Sequence, residues 1–181
     1  MNQARHGSGG VDRANQEGSA GEATPGVHGD RARQEGVAPK VDPVLFARRR
    51  QTVAGQTPFA LMPRLISAGV AADGAVAWQI EGSVGPDDLG RQRDFLLART
   101  RFAPVMTCSR CLAPVRLAEI ESETRFRLAP SESQAEREDR ESETVEVIAV
   151  TPVLDLAGVV EDEAILALPM APAHETCPPD V

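Results

Sequence analysis

The stretch Val159–Pro169 (VVEDEAILALP) sets three consecutive acids between apolar residues and stops at a proline. Asp155 precedes it and is suited to cap a helix, so we predict a helix from about Leu156 to Ala167. The apolar residues of this helix spread over more than one side. We therefore expect it to be flanked by protein on more than one face.

Just beyond the helix, the sequence PAHETC places His174 and Cys177 with two residues between them. Upstream, Cys108 and Cys111 form a second pair with the same spacing, CxxC. These two segments hold all three cysteines of the chain and one of its three histidines. So tight a gathering of rare side chains suggests that they serve a common purpose.

Alternating apolar residues elsewhere predict β-strands. Residues 65–84 are expected to form a hairpin that turns at Asp73 and Gly74, since this dipeptide tolerates positive backbone angles. Residues 95–106 and 115–128 are predicted as the next two strands. The CxxC pair then lies at the tip of the hairpin between these two strands.

Three further segments complete the predicted fold. Asp42 and Pro43 suit the start of a short helix that ends before Gly55. Residues 130–143 are polar and acidic and are expected to form a solvated loop, while residues 145–150 form a last short strand. The predicted fold class is α+β, with a mainly antiparallel sheet that is either open or partly closed as a barrel, a short N-terminal helix and a C-terminal helix.

The N-terminal residues 1–40 are rich in glycine and contain almost no large apolar side chain. Such a segment cannot bury enough surface to offset the entropy of ordering it. We therefore predict a disordered tail over residues 1–40 and a single domain over residues 41–181.

Composition excludes several classes of protein. The net charge of −8 argues against binding a phosphate backbone by bulk electrostatics. No apolar run reaches the roughly 18 to 20 residues that span a bilayer, and the N-terminus lacks the apolar region of a secretory signal. Three cysteines do not make a disulfide framework. We expect a cytoplasmic protein without a membrane partner.

Three interpretations of the cysteines stay open. A redox pair normally has its first cysteine at a helix N-terminus, whereas the flanks of Cys108 resemble strands and Pro114 follows. A zinc site would combine Cys108 and Cys111 with His174 and Cys177, giving three thiolates and one imidazole. The third interpretation is that the cysteines are small apolar or surface residues without a shared role.

Catalytic patterns are missing from the sequence. Nucleophile elbows, glycine-rich phosphate loops and the HExxH motif are all absent, and nothing points to a small-molecule substrate. Glu161, Asp162 and Glu163 do not make a hydrolytic site with His174, because consecutive helical side chains point about 100° apart. The sequence therefore predicts that the protein is not an enzyme.

The order of these motifs resembles the bacterial YceD family, the large ribosomal RNA subunit accumulation proteins. The resemblance covers about residues 40 to 177 and is strongest near the two cysteine-bearing segments. It implies a non-catalytic role in synthesis, processing or stability of 23S ribosomal RNA, and hence in ribosome biogenesis. The matching residues are Asp42-Pro43, Cys108-x-Arg-Cys111-Leu-x-Pro114, Asp155-Leu156, Val159–Glu163, Leu166–Pro169, Pro172, His174 and Cys177.

Two kinds of partner follow from this resemblance. The first is a basic ribosomal protein, shielded by acids of this chain; the alternative role of these acids is solubility. Residues 132–146 and the run Glu161–Glu163 would supply the acids, and Arg110 is a further partner-binding candidate.

The second partner is a large-subunit RNA precursor, bound by a small zinc-stabilised module. Arginines two residues apart share a strand face and would make a basic patch. Cross-strand pairing with Glu119, Glu121 or Glu123 is the alternative role for the same arginines. The patch would consist of Arg99, Arg101, Arg110, Arg125 and Arg127.

Overall fold

A computed structural model of the chain describes residues 34–142 and 145–178. The strands in this part of the chain are β1 (Gln34–Glu35), β2 (Lys40–Val41), β3 (Thr52–Pro58), β4 (Ala75–Pro86), β5 (Gln92–Phe102), β6 (Val105–Thr107), β7 (Pro114–Arg116), β8 (Ile120–Ala129), β9 (Glu146–Ala149) and β10 (Leu154–Asp155). The helices are α1 (Pro43–Arg48), α2 (Pro63–Ser67), α3 (Glu132–Glu141) and α4 (Leu156–Leu166), with a 3-10 turn at Phe59–Leu61.

A six-stranded sheet with the order β1-β3-β4-β5-β8-β9 forms the centre of the fold. The four middle strands are antiparallel neighbours, while β1 and β9 join the two edges in parallel. The α+β class is confirmed. The described residues do not form a closed barrel, because β1 and β9 lie at opposite edges of an open sheet and do not pair.

One face of the sheet carries the main hydrophobic core. In β4, Val76, Trp78 and Ile80 alternate with half-buried residues and point into this core, which α1, α2 and α4 cover. Gly82 continues the same alternation where α1 crosses the strand. A Cβ atom there would lie only 2.6 Å from the carbonyl oxygen of Phe46, so the close approach of α1 requires glycine.

Both predicted helix caps are confirmed. The Asp42 side chain accepts a hydrogen bond of 2.9 Å from the backbone N–H of Leu45, and Pro43 is the first residue of α1. Asp155 likewise accepts a bond of 3.1 Å from the backbone N–H of Ala157 at the start of α4. Each cap satisfies an N–H group that has no partner within its helix.

The CxxC pair lies, as predicted, at the tip of a hairpin. The hairpin strands are β6 and β7, which pair as a small separate sheet. The chain turns between them through a bond of 2.9 Å from the backbone N–H of Cys108 to the carbonyl of Ala113. The two long predicted strands are each divided, into β5 and β6 and into β7 and β8, and Pro104 lies in the first gap.

The hairpin predicted over residues 65–84 is wrong in its first strand, while its second strand is confirmed as part of β4. Pro63 begins α2, so the segment before Gly74 contains a helix instead of a strand. The antiparallel partner of β4 on this side is β3, which lies before the predicted hairpin. β3 has the sequence TVAGQTP, whose small and polar residues give only a weak strand signal.

The solvated loop predicted over residues 130–143 is also wrong, since most of it is the helix α3. Ser131 caps this helix by accepting a bond from the backbone N–H of Gln134. Ala135 and Glu138 face inwards, and Ala135 packs with Val147 in a small second core. A serine followed three residues later by glutamine is a capping pattern that could have indicated the helix.

Most of the predicted disordered tail, residues 1–33, lies outside the described residues. Residues 34–40 contribute β1, which pairs with β3, and the first residue of β2, which pairs with β10. Within the described residues, no helix has the length and apolar character that crossing a bilayer requires.

Candidate metal centre

The structure brings together the two segments that carry the cysteines. Cys108, Cys111, His174 and Cys177, here called the Cys–His cluster, each direct one possible ligand atom to the same place, and these atoms all lie within 4.8 Å of one another. Cys108 is fully buried, and the other three residues are half-buried. Three thiols and an imidazole at one point are a donor set that could hold a metal ion.

Hydrogen bonds hold the C-terminal segment, residues 168–177, against the hairpin tip. The backbone N–H of Ser109 donates to the carbonyl of Pro172 at 2.8 Å, and the Arg110 guanidinium donates to the carbonyl of His174. Both donors belong to the two residues between the cysteines of the CxxC pair. The backbone therefore positions the second half of the cluster on the first.

The thiols of the cluster differ in their readiness to ionise. The backbone N–H of Cys111, helped by those of Arg110 and His174, outweighs the effect of burial and lowers the pKa of Cys108 to about 5. Burial, reinforced by the neighbouring thiols, raises the pKa of Cys177 to about 11. One thiolate therefore forms readily, whereas further negative charge beside it is opposed unless a cation balances it.

The acids Glu161, Asp162 and Glu163, here called the acidic triplet, lie on α4 and reach different partners. Glu161 Oε1 accepts bonds from the backbone N–H groups of Arg64 at 2.7 Å and Leu65 at 3.1 Å. It thereby caps α2, whose own N-cap residue makes no side-chain bond. The guanidinium of Arg64 also pairs with both Glu161 and Asp162.

Glu163 points elsewhere and is almost completely buried, with 2% of its surface exposed. Its carboxylate accepts bonds from the hydroxyls of Ser122, at 3.2 Å, and Thr124 on β8. The partner-binding role predicted for Glu161, Asp162 and Glu163 stays a prediction. The carboxylates of Glu161 and Glu163 face other elements of the same chain, and Asp162 is the one member with a largely exposed side chain.

The arginines of the predicted basic patch are neutralised by neighbouring acids. Arg99 contacts Glu123 at 2.6 Å across the β5–β8 pair and Glu81 on β4 at 3.0 Å. Arg101 lies within 4.0 Å of Glu119 and Glu121. The cross-strand pairing alternative is thus confirmed for these two residues, and the surface carries more acid than base.

The remaining arginines of that patch are also engaged. Arg125 lies over the ring of Phe95, with its guanidinium carbon 3.9 Å from the ring centre. Arg127 is buried and pairs with Glu138 of α3 at 3.1 Å. Together with the bond from Arg110 to the C-terminal segment, these contacts leave no continuous basic surface among the five predicted residues.

Arg64 was not singled out from the sequence, although it joins α2 to the acidic triplet. Its partners lie 97 and 98 positions away along the chain. No local pattern signals a contact of that range. Pro63 marks the start of α2, and this is the nearest sequence signal to the missed residue.

Comparison with known proteins identifies one family. The family model described as "Large ribosomal RNA subunit accumulation protein YceD" matches residues 96–180. This range contains the whole Cys–His cluster and α4, so the resemblance seen in the sequence is confirmed over these residues, whereas its extension to residues 40–95 stays a prediction. No curated protein and no solved structure gives a match.

Proposed function

We propose that this chain, whose residues 96–180 match the YceD family model, is a non-catalytic factor in synthesis, processing or stability of 23S ribosomal RNA. It would thereby act in biogenesis of the large ribosomal subunit, in the cytoplasm. The match to the family model is the observation that carries this proposal. The family description refers to accumulation of ribosomal RNA. A binding or assembly factor can increase the amount of an RNA without catalysing a chemical reaction.

Two features of the described residues support a role without catalysis. A metal ion held by all four members of the Cys–His cluster would have no open position for a substrate or a reactive water. The acidic triplet, which comprises all the acids of α4, makes hydrogen bonds and ion pairs with other parts of the same chain. Neither group offers the arrangement of acid, base and nucleophile that hydrolysis requires.

A basic ribosomal protein is the partner that the charges favour. The chain carries a net charge of −8, and α3 exposes four acids against two bases: Glu132, Glu136, Asp139 and Glu141 against Arg137 and Arg140. Such a surface attracts the lysine and arginine segments of ribosomal proteins and repels phosphates. We therefore place the partner surface on α3 instead of on the acidic triplet.

A zinc-stabilised RNA-binding module is the second candidate function. The Cys–His cluster favours its zinc-binding half, because three thiolates and one imidazole suit that ion. The paired arginines of β5 weigh against its RNA-binding half. Gel shifts with large-subunit RNA fragments at two salt concentrations test it, and affinity that falls steeply with salt would favour this candidate over the first.

Depletion of the protein tests the main proposal. We expect the amount of 23S relative to 16S ribosomal RNA to fall in depleted cells and to recover when the wild-type gene is restored. A variant with α3 acids replaced, Glu132→Gln with Glu136→Gln, should recover less. An unchanged ratio after complete depletion would contradict the proposed function.

Affinity purification at moderate salt tests the partner. Ribosomal proteins or large-subunit precursors should be enriched with the wild-type chain and reduced with the α3 variant. Enrichment of neither would contradict the proposed partners, whatever the RNA ratio shows.

A further inference from the structure

We infer that Cys108, Cys111, His174 and Cys177 hold one zinc ion in a closed tetrahedral site that fastens the C-terminal segment to the β6–β7 hairpin. The site stands apart from the proposed role in RNA accumulation, because only the positions and chemistry of these four side chains support it. A failure of either one leaves the other intact.

Two distances in the cluster match the edges of a zinc tetrahedron. Zinc bonds of about 2.3 Å to sulfur and about 2.0 to 2.1 Å to nitrogen give edges of about 3.8 Å between sulfurs and about 3.6 Å between sulfur and nitrogen. The Sγ atoms of Cys108 and Cys177 are 3.9 Å apart. Cys111 Sγ lies 3.4 Å from Nδ1 of His174.

These two edges share no atom, so they are opposite edges of the tetrahedron. Each edge also joins one residue of the hairpin to one residue of the C-terminal segment, across 69 and 63 positions of the chain. A chance meeting of two thiols would account for one of these contacts. It would not place an imidazole nitrogen against the third thiol at the matching distance.

Other states of the cysteines fit less well. A disulfide needs its sulfurs about 2.05 Å apart, and all three cysteines are free in the structure. If the thiols served only as small apolar residues, nothing would require the imidazole nitrogen of His174 to point at Cys111. The donor set also selects the ion, because thiolates and imidazole in a tetrahedral arrangement suit zinc better than the harder cations magnesium and calcium.

The ion would have a structural role, because it would hold the C-terminal segment against the hairpin. The C-terminal segment contains no helix or strand over its described residues, and two hydrogen bonds join it to the hairpin tip besides the contacts within the cluster. Binding of zinc adds a cross-link between parts of the chain that are far apart in sequence. Without the ion, we expect this segment to leave the hairpin while the central sheet persists.

Metal content of the full-length chain, purified under reducing conditions, tests the site. We expect about one zinc per chain in the wild type. Cobalt added to the metal-free chain should give the intense visible bands of a tetrahedral ion and a near-ultraviolet thiolate charge-transfer band. His174→Ala and Cys111→Ser should weaken retention against a competing chelator by more than a hundredfold.

Glu175→Ala is the matched control, because Glu175 is exposed and adjacent to His174. It should keep wild-type retention and wild-type cobalt bands. His174 lies outside the strands of the central sheet, so its variant should keep the folded sheet, and circular dichroism checks this. Protease should cut the C-terminal segment faster in His174→Ala than in Glu175→Ala.

Four results would overturn the inference: no metal bound by the wild type, iron in place of zinc, equal retention by His174→Ala and Glu175→Ala, or a disulfide between Cys108 and Cys177 in the reduced preparation.

Discussion

The Cys–His cluster and the acidic triplet are both cross-links, but they work in opposite ways. The cluster gathers four side chains from two distant segments onto one point. The triplet sends three side chains of one helix to different places: Glu161 and Asp162 to α2, and Glu163 to β8. The difference arises from spacing.

Pairs of ligands separated by two residues in a turn can converge on one atom. Consecutive residues of a helix point about 100° apart and cannot. A cluster of chemically active residues in a sequence therefore indicates a shared site only when its spacing allows convergence. The acidic triplet stabilises the domain as dispersed contacts, whereas the cluster would do so through a single ion.

The largest loss of stability is expected from a substitution in the Cys–His cluster. Cys111→Ser should remove the metal and lower the free energy of unfolding by about 4 kcal/mol, the stabilisation that a ligand present at about 1,000 times its dissociation constant gives to the folded state that binds it. The melting temperature should then fall by about 10 °C in calorimetry.

Ser109→Ala is the control for this variant, because its exposed side chain lies between the two cysteines while its bond to Pro172 uses the backbone. It should melt within about 1 °C of the wild type. Equal melting of the two variants would show that convergence at the cluster contributes nothing to stability.

A smaller effect is expected within the acidic triplet, where burial separates two neighbours. The side chain of Glu161 is 11% exposed and that of Asp162 is 56% exposed. Glu161→Gln should cost about 2 kcal/mol, because it weakens the cap of α2 and removes the more buried of the two carboxylates that pair with Arg64. Asp162→Asn should cost less than about 1 kcal/mol.

Urea unfolding at neutral pH measures both values. Equal costs for the two variants would contradict the view that Glu161 is the structural member of this pair.

Asp87 extends the comparison to a carboxylate on which several donors converge. Burial raises its pKa, but hydrogen bonds from Arg91, Arg93 and the backbone of Leu89 outweigh burial and hold the pKa well below its usual range. Such a group contributes its full stability above its unfolded pKa of about 4 and loses it as the pH falls further.

Urea unfolding at pH 7 and pH 3 tests the sign of this effect. The wild type should lose more stability between the two pH values than Asp87→Asn does. Asp88→Asn, at the exposed neighbouring position, should follow the wild type. A larger loss in Asp87→Asn than in the wild type would reverse the sign and contradict the assignment.

The smallest effect is expected on the sheet surface. Arg101 has an exposed side chain whose acidic partners lie at 3.9 and 4.0 Å. Arg101→Gln should change stability by less than about 0.5 kcal/mol and leave binding to ribosomal RNA unchanged. A marked loss of RNA affinity in a gel shift would contradict this expectation and indicate that the predicted basic patch binds RNA.

The features that sequence predicted correctly are those with local causes. Asp42 and Asp155 cap helices through residues two or three positions away, and the CxxC pair lies on a hairpin whose two strands flank it. The meeting of the two cysteine-bearing segments was predictable as a hypothesis, because cysteine and histidine are among the few residue types that bind zinc and the chain has few of either.

The features that sequence missed depend on distant contacts or on weak signals. The contact of Arg64 with Glu161 spans 97 positions, and no periodicity reports it. β3 consists of small and polar residues and gains its strand character from pairing with β4. The arginines of β5 form a plausible basic patch in the sequence because their acidic neighbours come from β4, β8 and the residue before β8.

X-ray absorption at the zinc edge of the full-length chain tests most directly whether the two segments converge on one ion. We expect a first shell of three sulfurs at about 2.3 Å and one nitrogen at about 2.0 Å. In His174→Ala the nitrogen contribution should be replaced or lost while the sulfurs stay. A shell made only of oxygen and nitrogen, or one unchanged by His174→Ala, would contradict the account.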